Sequence, residues 1–239
     1  MSALSRDTPV PGLVVLQPRG GFRYSMEPFL LAGWLLEAGH RGPFVDVGAG
    51  SGILALLLAS QGLAGEGIDV LPDWVALARR SLEESRRADG APLDLRFRVQ
   101  DVRDRCEPPV PLVVCNPPFF PLGSGPVSAN PFRAAARHEQ AGTLAELVAA
   151  MARAGSVVAL VLSAGRGEEG ARALAAAGRP VARRCELDDT FVLLEGEPDG
   201  GPCEHRRERL FEGDGPGPAV RRWYELLGAR LALAPRGNT

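Results

Sequence analysis

At 239 residues, 45% hydrophobic and 23% charged, the chain has the composition of a folded protein with a sizeable core. Its longest apolar run, near Gly155 to Leu162, is too short to span a bilayer, and Met1 to Asp7 lacks the apolar stretch of a signal peptide. A cytoplasmic protein without membrane contact is therefore expected. The net charge of −2 gives no overall field to gather a polyanion, although all 27 basic residues are arginine, the cation best suited to phosphate forks and base stacking. Cys106, Cys115, Cys185 and Cys203 form no C-x-x-C pair and no histidine stands at ligand spacing from them, so no metal site is expected. Cys115 lies in an apolar run and reads as a buried thiol.

In chain order, residues 1–12 read as a loose lead-in. Leu13 to Leu16 is a short strand signal, and Phe22 to Tyr24 returns after a turn at Pro18, Gly20 and Gly21 as the second arm of a hairpin. Glu27 to Ala38 carries apolar residues on one helical face, with Ser25 as N-cap. Strands are then expected at Phe44–Val47, Glu66–Val70, Leu93–Val99, Val110–Cys115 and Ser156–Leu162. Helices alternate with them at Ile53–Gln61, Asp73–Arg87, Thr143–Arg153 and Glu168–Ala177. Val181–Leu187 and Phe191–Glu195 flank Asp188 and Asp189 as a hairpin. Residues 198–218 read as loop, and Ala219–Leu233 as a closing amphipathic helix. Alternation at this spacing means a mostly parallel sheet covered on both faces, with an antiparallel last strand. One domain over 1–239 is expected: a hairpin and helix cover (1–41), an α/β core (42–196), then loop and helix (197–239).

The first core strand runs into Asp46-Val47-Gly48-Ala49-Gly50-Ser51-Gly52, and a helix follows at once. Glycines let such a turn be tight and let a ligand approach the backbone, while the helix N-terminus adds oriented N–H groups. The third glycine comes one residue earlier than in a dinucleotide fingerprint, and no cationic side chain lies in the turn. With Asp46 before the turn and Asp69 ending the next strand 17 residues after Gly52, the pattern suits an amine-bearing nucleoside better than a phosphate. Asp101 follows the third strand, where its carboxylate can accept from an adenine amino group with Val102 against the ring.

The fourth strand ends in Asn116-Pro117-Pro118-Phe119. In open α/β sheets ligands bind at the carboxyl ends of strands, near the switch point. The prolines stiffen the backbone and remove two N–H donors. The Asn116 side-chain oxygen and the Pro117 carbonyl can then hold the hydrogens of one amino group, leaving its lone pair facing a methyl donor, and Phe119 offers a stacking face.

Together these segments resemble the successive motifs of class I S-adenosyl-L-methionine-dependent methyltransferases that carry an N/D-P-P-Y/F/W tetrapeptide. From Leu13 to about Glu195 the chain resembles the bacterial tRNA adenine-N6 methyltransferases acting on valine tRNA, in Gly21-Phe22-Arg23-Tyr24-Ser25 and in Ala136-Arg137-His138-Glu139 followed by Thr143-Leu144. The resemblance implies a Rossmann-like fold with a seven-stranded, mostly parallel sheet. It implies that Arg23, Asp46, Gly48, Gly50, Gly52, Asp69, Asp101, Val102 and Asn116 hold the cofactor, and that Asn116, Pro117, Pro118 and Phe119 hold the target. The implied substrate is adenine in RNA, with tRNA as partner. Phe119 stands where that family often has tyrosine, and the same tetrapeptide occurs in ribosomal RNA guanine-N2 methyltransferases; a glutamine amide is a third target of the wider group. Arg133, Arg137 and His138 either contact the nucleotide or line a solvated loop. Arg206, Arg207, Arg209, Arg221 and Arg222 are diluted by nearby carboxylates and read as a solvated face, and Trp223 and Tyr224 as core of the last helix.

Overall fold

A computed structural model describes residues 4–19, 23–105, 107–117 and 142–229. Eight strands form the main sheet: β3 (Phe44–Val47), β4 (Gly65–Asp69), β5 (Leu95–Val99), β6 (Val110–Cys115), β7 (Gly155–Ser163), β8 (Val181–Leu187), β9 (Phe191–Gly196) and β10 (Glu204–Glu208). Their order is β10-β8-β9-β7-β6-β3-β4-β5, and only β9 runs antiparallel to its neighbours. Seven of these are the expected strands. The eighth, β10, lies in the stretch read as loop, as do the short pair β11 (Phe211–Glu212) and β12 (Gly215–Pro216). Periodicity missed β10 because Glu-His-Arg-Arg-Glu has no apolar face; its stability comes from pairing with β8, not from burial.

The amino-terminal hairpin also differs from expectation. Its arms are β1 (Leu4–Asp7) and β2 (Val15–Pro18), paired antiparallel, so the first arm lies in the supposed lead-in. Arg23 and Tyr24 belong to no strand. β2 turns its other edge to a helix, where buried Ser85 Oγ accepts from Val14 N at 2.9 Å and buried Ser81 Oγ from Leu16 N at 3.0 Å. Those hydroxyls satisfy backbone groups that would otherwise be buried unpaired.

Helices α1 (Glu27–Glu37), α2 (Ile53–Ser60) and α3 (Pro72–Glu84) cover one face of the sheet, and α4 (Leu144–Ala154) and α5 (Gly167–Ala176) the other. The two apolar clusters on either side of the sheet share these layers, as the alternation required. Ser25 does not cap α1; its hydroxyl bonds the Glu27 carboxylate, and Met26 occupies the cap position. Thr143 does cap α4, in a reciprocal box with Glu146. The last helix, α6 (Pro218–Leu227), ends at left-handed Gly228 and crosses α1 so closely that a Cβ on Gly33 would stand 2.2 Å from Trp223 Cβ. Trp223 and Tyr224 are buried there, and Tyr224 stacks on Phe29 with ring centroids 5.2 Å apart. Among the described residues no helix is long and apolar enough to cross a membrane, and no group of three or more His, Cys, Asp or Glu is placed to hold a metal ion.

Candidate active site

The carboxyl ends of β3, β4, β5 and β6 meet at the switch point between β3 and β6. Parallel pairing sets Asp46 opposite Gly67 on one side and Val114 on the other. Extending that register by two residues brings Asn116 level with Gly48. Residues 68 positions apart in the chain thus share one ledge because two short apolar strands are adjacent.

The glycine turn is built as the sequence required, but its glycines have different duties. Gly48, Gly50 and Gly52 have φ of +71°, +54° and +83°. The N–H groups of Gly48 and Ala49 both bond Ile68 O, at 2.9 and 3.0 Å, which ties the turn to β4. A Cβ on Gly48 would meet nothing within 4 Å, and one on Gly50 only Gly48 O at 4.0 Å, so these two faces form an open cradle. A Cβ on Gly52 would strike the Phe97 ring at 2.6 Å and approach Ala78 Cβ to 3.1 Å. Gly52 is there for helix packing, and it faces the core rather than the cradle.

Asp69 is fixed at the cradle's edge. Its Oδ2 accepts from Gly50 N and its Oδ1 from Leu71 N, both at 2.9 Å, which leaves further lone pairs on both oxygens. Burial raises its pKa. Asp46 lies beneath the turn, 2% exposed, with Oδ2 accepting from Ala55 N of α2 at 3.1 Å. Burial, with a smaller push from the Asp69 charge, moves its pKa up to about 7. Cys115 is buried at the end of β6, and its thiol is raised well above its ordinary value by burial first and by the charges of Asp46 and Asp69 after.

Asp101 opens a 3-10 turn (Val102–Asp104), accepting from Arg103 N at 2.9 Å and from the Arg103 guanidinium, which holds the carboxyl below its usual range. Val102 is buried with the apolar cluster of Ile68 and Leu144. Two residues that sequence reasoning passed over stand nearby: Val70 and Val99, 45% and 49% exposed at the ends of β4 and β5. The signal for Val70 was its place directly after Asp69, an apolar side chain at a ligand-facing strand end. The Arg23 guanidinium pairs with Asp7 of β1 at 2.8 Å.

Asn116 follows β6 directly. Its Oδ1 is buried and among the described residues has no hydrogen-bond partner, while Pro117 is buried behind it. An unpaired buried carbonyl oxygen costs about 1–3 kcal/mol, so a ligand N–H at this point would be held by an acceptor already in place. Pro118, Phe119, Arg133, Arg137 and His138 lie outside the described residues.

The Methyltransferase small domain family model matches residues 29–154, just over half of the chain and the stretch that carries the turn, Asp69, Asp101 and Asn116. The chain belongs to that family. It is 29% identical over 140 residues to a tRNA1(Val) (adenine(37)-N6)-methyltransferase of Trichodesmium erythraeum, covering 57% of each chain. It is 33% identical over 131 residues to a release factor glutamine methyltransferase of Rhodospirillum rubrum, covering 48% of this chain and 39% of that one. The chain thus spans only part of the length of these curated relatives, 57% of the tRNA enzyme and 39% of the glutamine enzyme. In fold it resembles the crystal structure of a predicted O-methyltransferase from Agrobacterium tumefaciens, with a TM-score of 0.63 at 16% identity, over 86% of this chain and 98% of the other.

Proposed function

We propose that this methyltransferase-family protein transfers a methyl group from S-adenosyl-L-methionine to the exocyclic amino group of adenine in RNA, with tRNA as the substrate. The observation that carries the reading is the buried Oδ1 of Asn116, without a partner among the described residues and level with the open glycine cradle. The likeness to the tRNA adenine-N6 enzyme supports the choice of base.

The residues present fit the cofactor. Gly48 and Gly50 leave backbone space for it, Asp69 keeps lone pairs for a ribose diol, and Val70 offers an apolar surface for a flat ring. Asp46 supplies negative charge beneath the turn, Gly52 sets the start of α2, and Asp101 with Val102 borders the far side. Arg23, paired with Asp7 of β1, is taken to approach the cofactor from the amino-terminal side. When bound, the cofactor supplies an electrophilic methyl group on a sulfonium. Asn116 Oδ1 accepts one hydrogen of the target amine and the Pro117 carbonyl the other, so the nitrogen lone pair is aimed and the positive charge that grows on nitrogen is met by two dipoles. Phe119 stacks the base, and Arg133, Arg137 and His138 grip the nucleotide.

A glutamine amide of a release factor is a second reading, favoured by the likeness to the glutamine enzyme, because an amide NH2 presents the same two hydrogens. Incubation with methyl-labelled S-adenosyl-L-methionine, unmodified tRNA, ribosomal RNA and a release factor separates these readings. Label in N6-methyladenosine of tRNA is expected. Label in guanosine of ribosomal RNA or in the release factor would replace the substrate assignment.

A further inference from the structure

The Asp101 carboxylate is held in two ways. Its Oδ1 accepts from Arg103 N at 2.9 Å, the bond that caps the short 3-10 turn, and that bond needs only the backbone. The Arg103 side chain adds a second hold: its Nε lies 2.9 Å from Oδ1 and 3.0 Å from Oδ2, and its Nη2 donates to Oδ2. Three N–H groups thus serve two oxygens that offer roughly four lone-pair sites between them, which leaves room for about one more donor. With 21% of its side chain exposed, the carboxylate is open to that donor. The other side of the guanidinium faces the start of α4. A Cβ on Gly142 would stand 3.8 Å from Arg103 Nη1 and 2.9 Å from Glu146 Oε2, the oxygen that closes the capping box with Thr143. The Arg103 and Glu146 charges act on each other across that gap. Val102 and Leu144 bury together, so the turn that carries Arg103 is packed against the helix that carries Glu146.

We propose that Arg103 is a positioning residue for the cofactor: its guanidinium, set between Asp101 and Glu146, holds the Asp101 carboxylate so that the acceptor site left free meets the exocyclic amino group of the cofactor's adenine. The inference rests on the S-adenosyl-L-methionine reading above. A carboxylate tied only to a backbone N–H turns about its own bond and trades partners with water. The fork fixes its plane before the ligand arrives, so the ordering is met in folding and not in binding. The same pairing keeps Asp101 ionised and therefore an acceptor, because Arg103 holds the carboxyl below its usual range. Acting through Asp101, Arg103 governs cofactor affinity and the choice of base, not the transfer step.

Calorimetric titration of the whole protein with S-adenosyl-L-homocysteine, beside an analogue carrying hydrogen in place of the adenine amino group, tests this without turnover. Wild type should bind the amino compound more tightly, by about fivefold or more. Arg103→Ala keeps the backbone N–H that caps the turn and removes the fork. It should weaken S-adenosyl-L-homocysteine by about two- to fivefold, leave the desamino analogue unchanged, and so narrow the preference by the same factor. Because the ion pair is half exposed, salt at about 1 M should bring wild type towards the variant. Glu146→Gln, which preserves the capping box, should show a smaller loss of the same kind. Equal weakening of both ligands in Arg103→Ala would make Arg103 a structural residue and overturn the inference, as would a preference that is unchanged or widened; the cofactor reading stands in each case. Absence of binding of either ligand to wild type would overturn both.

Discussion

Asp46 shows how burial can set a residue's behaviour. Its folded pKa of about 7 lies above the unfolded value of about 3.9, so between those values the folded state holds a proton that the unfolded state has released. Stability therefore falls as pH rises from about 4 to 7 and levels off above. Asp46→Asn removes that cost. Denaturant unfolding should show the variant gaining on wild type from pH 5 to pH 8, by roughly 1–3 kcal/mol at the upper end; a constant difference would place the ionised carboxylate in a better-solvated environment than the structure gives it.

Asn116 makes the opposite kind of prediction, on rate rather than stability. Removing the acceptor with Asn116→Ala should lower the turnover number by about 10²–10³, the range for losing one preorganised dipole at a reacting centre. Cofactor affinity measured by titration should stay close to wild type, because the group addresses the target amine. Both residues were legible in the sequence by position, since Asp46 precedes the glycine turn and Asn116 directly follows a strand. The division of labour among Gly48, Gly50 and Gly52 was not, because it depends on Phe97, 45 residues away from Gly52 in the chain.

Among the elements, those with local signals came out where the pattern put them. The Thr143–Glu146 box fixes the start of α4 by short-range hydrogen bonds that any reader of the sequence can count. Thr143→Ala should cost about 1 kcal/mol in denaturant unfolding. The amino-terminal hairpin has no such signal. β2 is held on one side by β1 and on the other by the hydroxyls of Ser81 and Ser85, and serines inside a helix normally read as solvent-facing. Ser85→Ala should cost about 1–3 kcal/mol by leaving Val14 N buried and unpaired, with hydrogen exchange at Val14 rising more than at the core strands. Exchange that rose equally everywhere would mean that the hairpin and core open together.

At the scale of the molecule, the tail from residue 197 completes both layers. β10 extends the sheet, and α6 covers α1 through Trp223, which also donates from Nε1 to Glu37 at 3.0 Å. Arg206 and Arg222 share Glu37, and Arg207 pairs with Glu186, so these arginines are spent on neighbouring carboxylates. A side chain at position 33 has no room against Trp223; Gly33→Val should force α6 off α1 and expose Phe29 and Trp34. Dye binding to apolar surface should rise and thermal unfolding should broaden.

The sequence by itself determined the alternation of strand and helix, the positions of the glycine turn, Asp69, Asp101 and Asn116, and the family to which these belong. All of these are written in local patterns: apolar periodicity, glycine at positive φ, an acid or amide at a strand end. Only the tertiary structure decided which strand ends share one ledge, which glycine faces open space and which a phenyl ring, and that a segment with no apolar residue becomes the eighth strand. Those outcomes depend on partners distant in the chain, and the energy of a contact, unlike the propensity of a segment, exists only once both partners are in place.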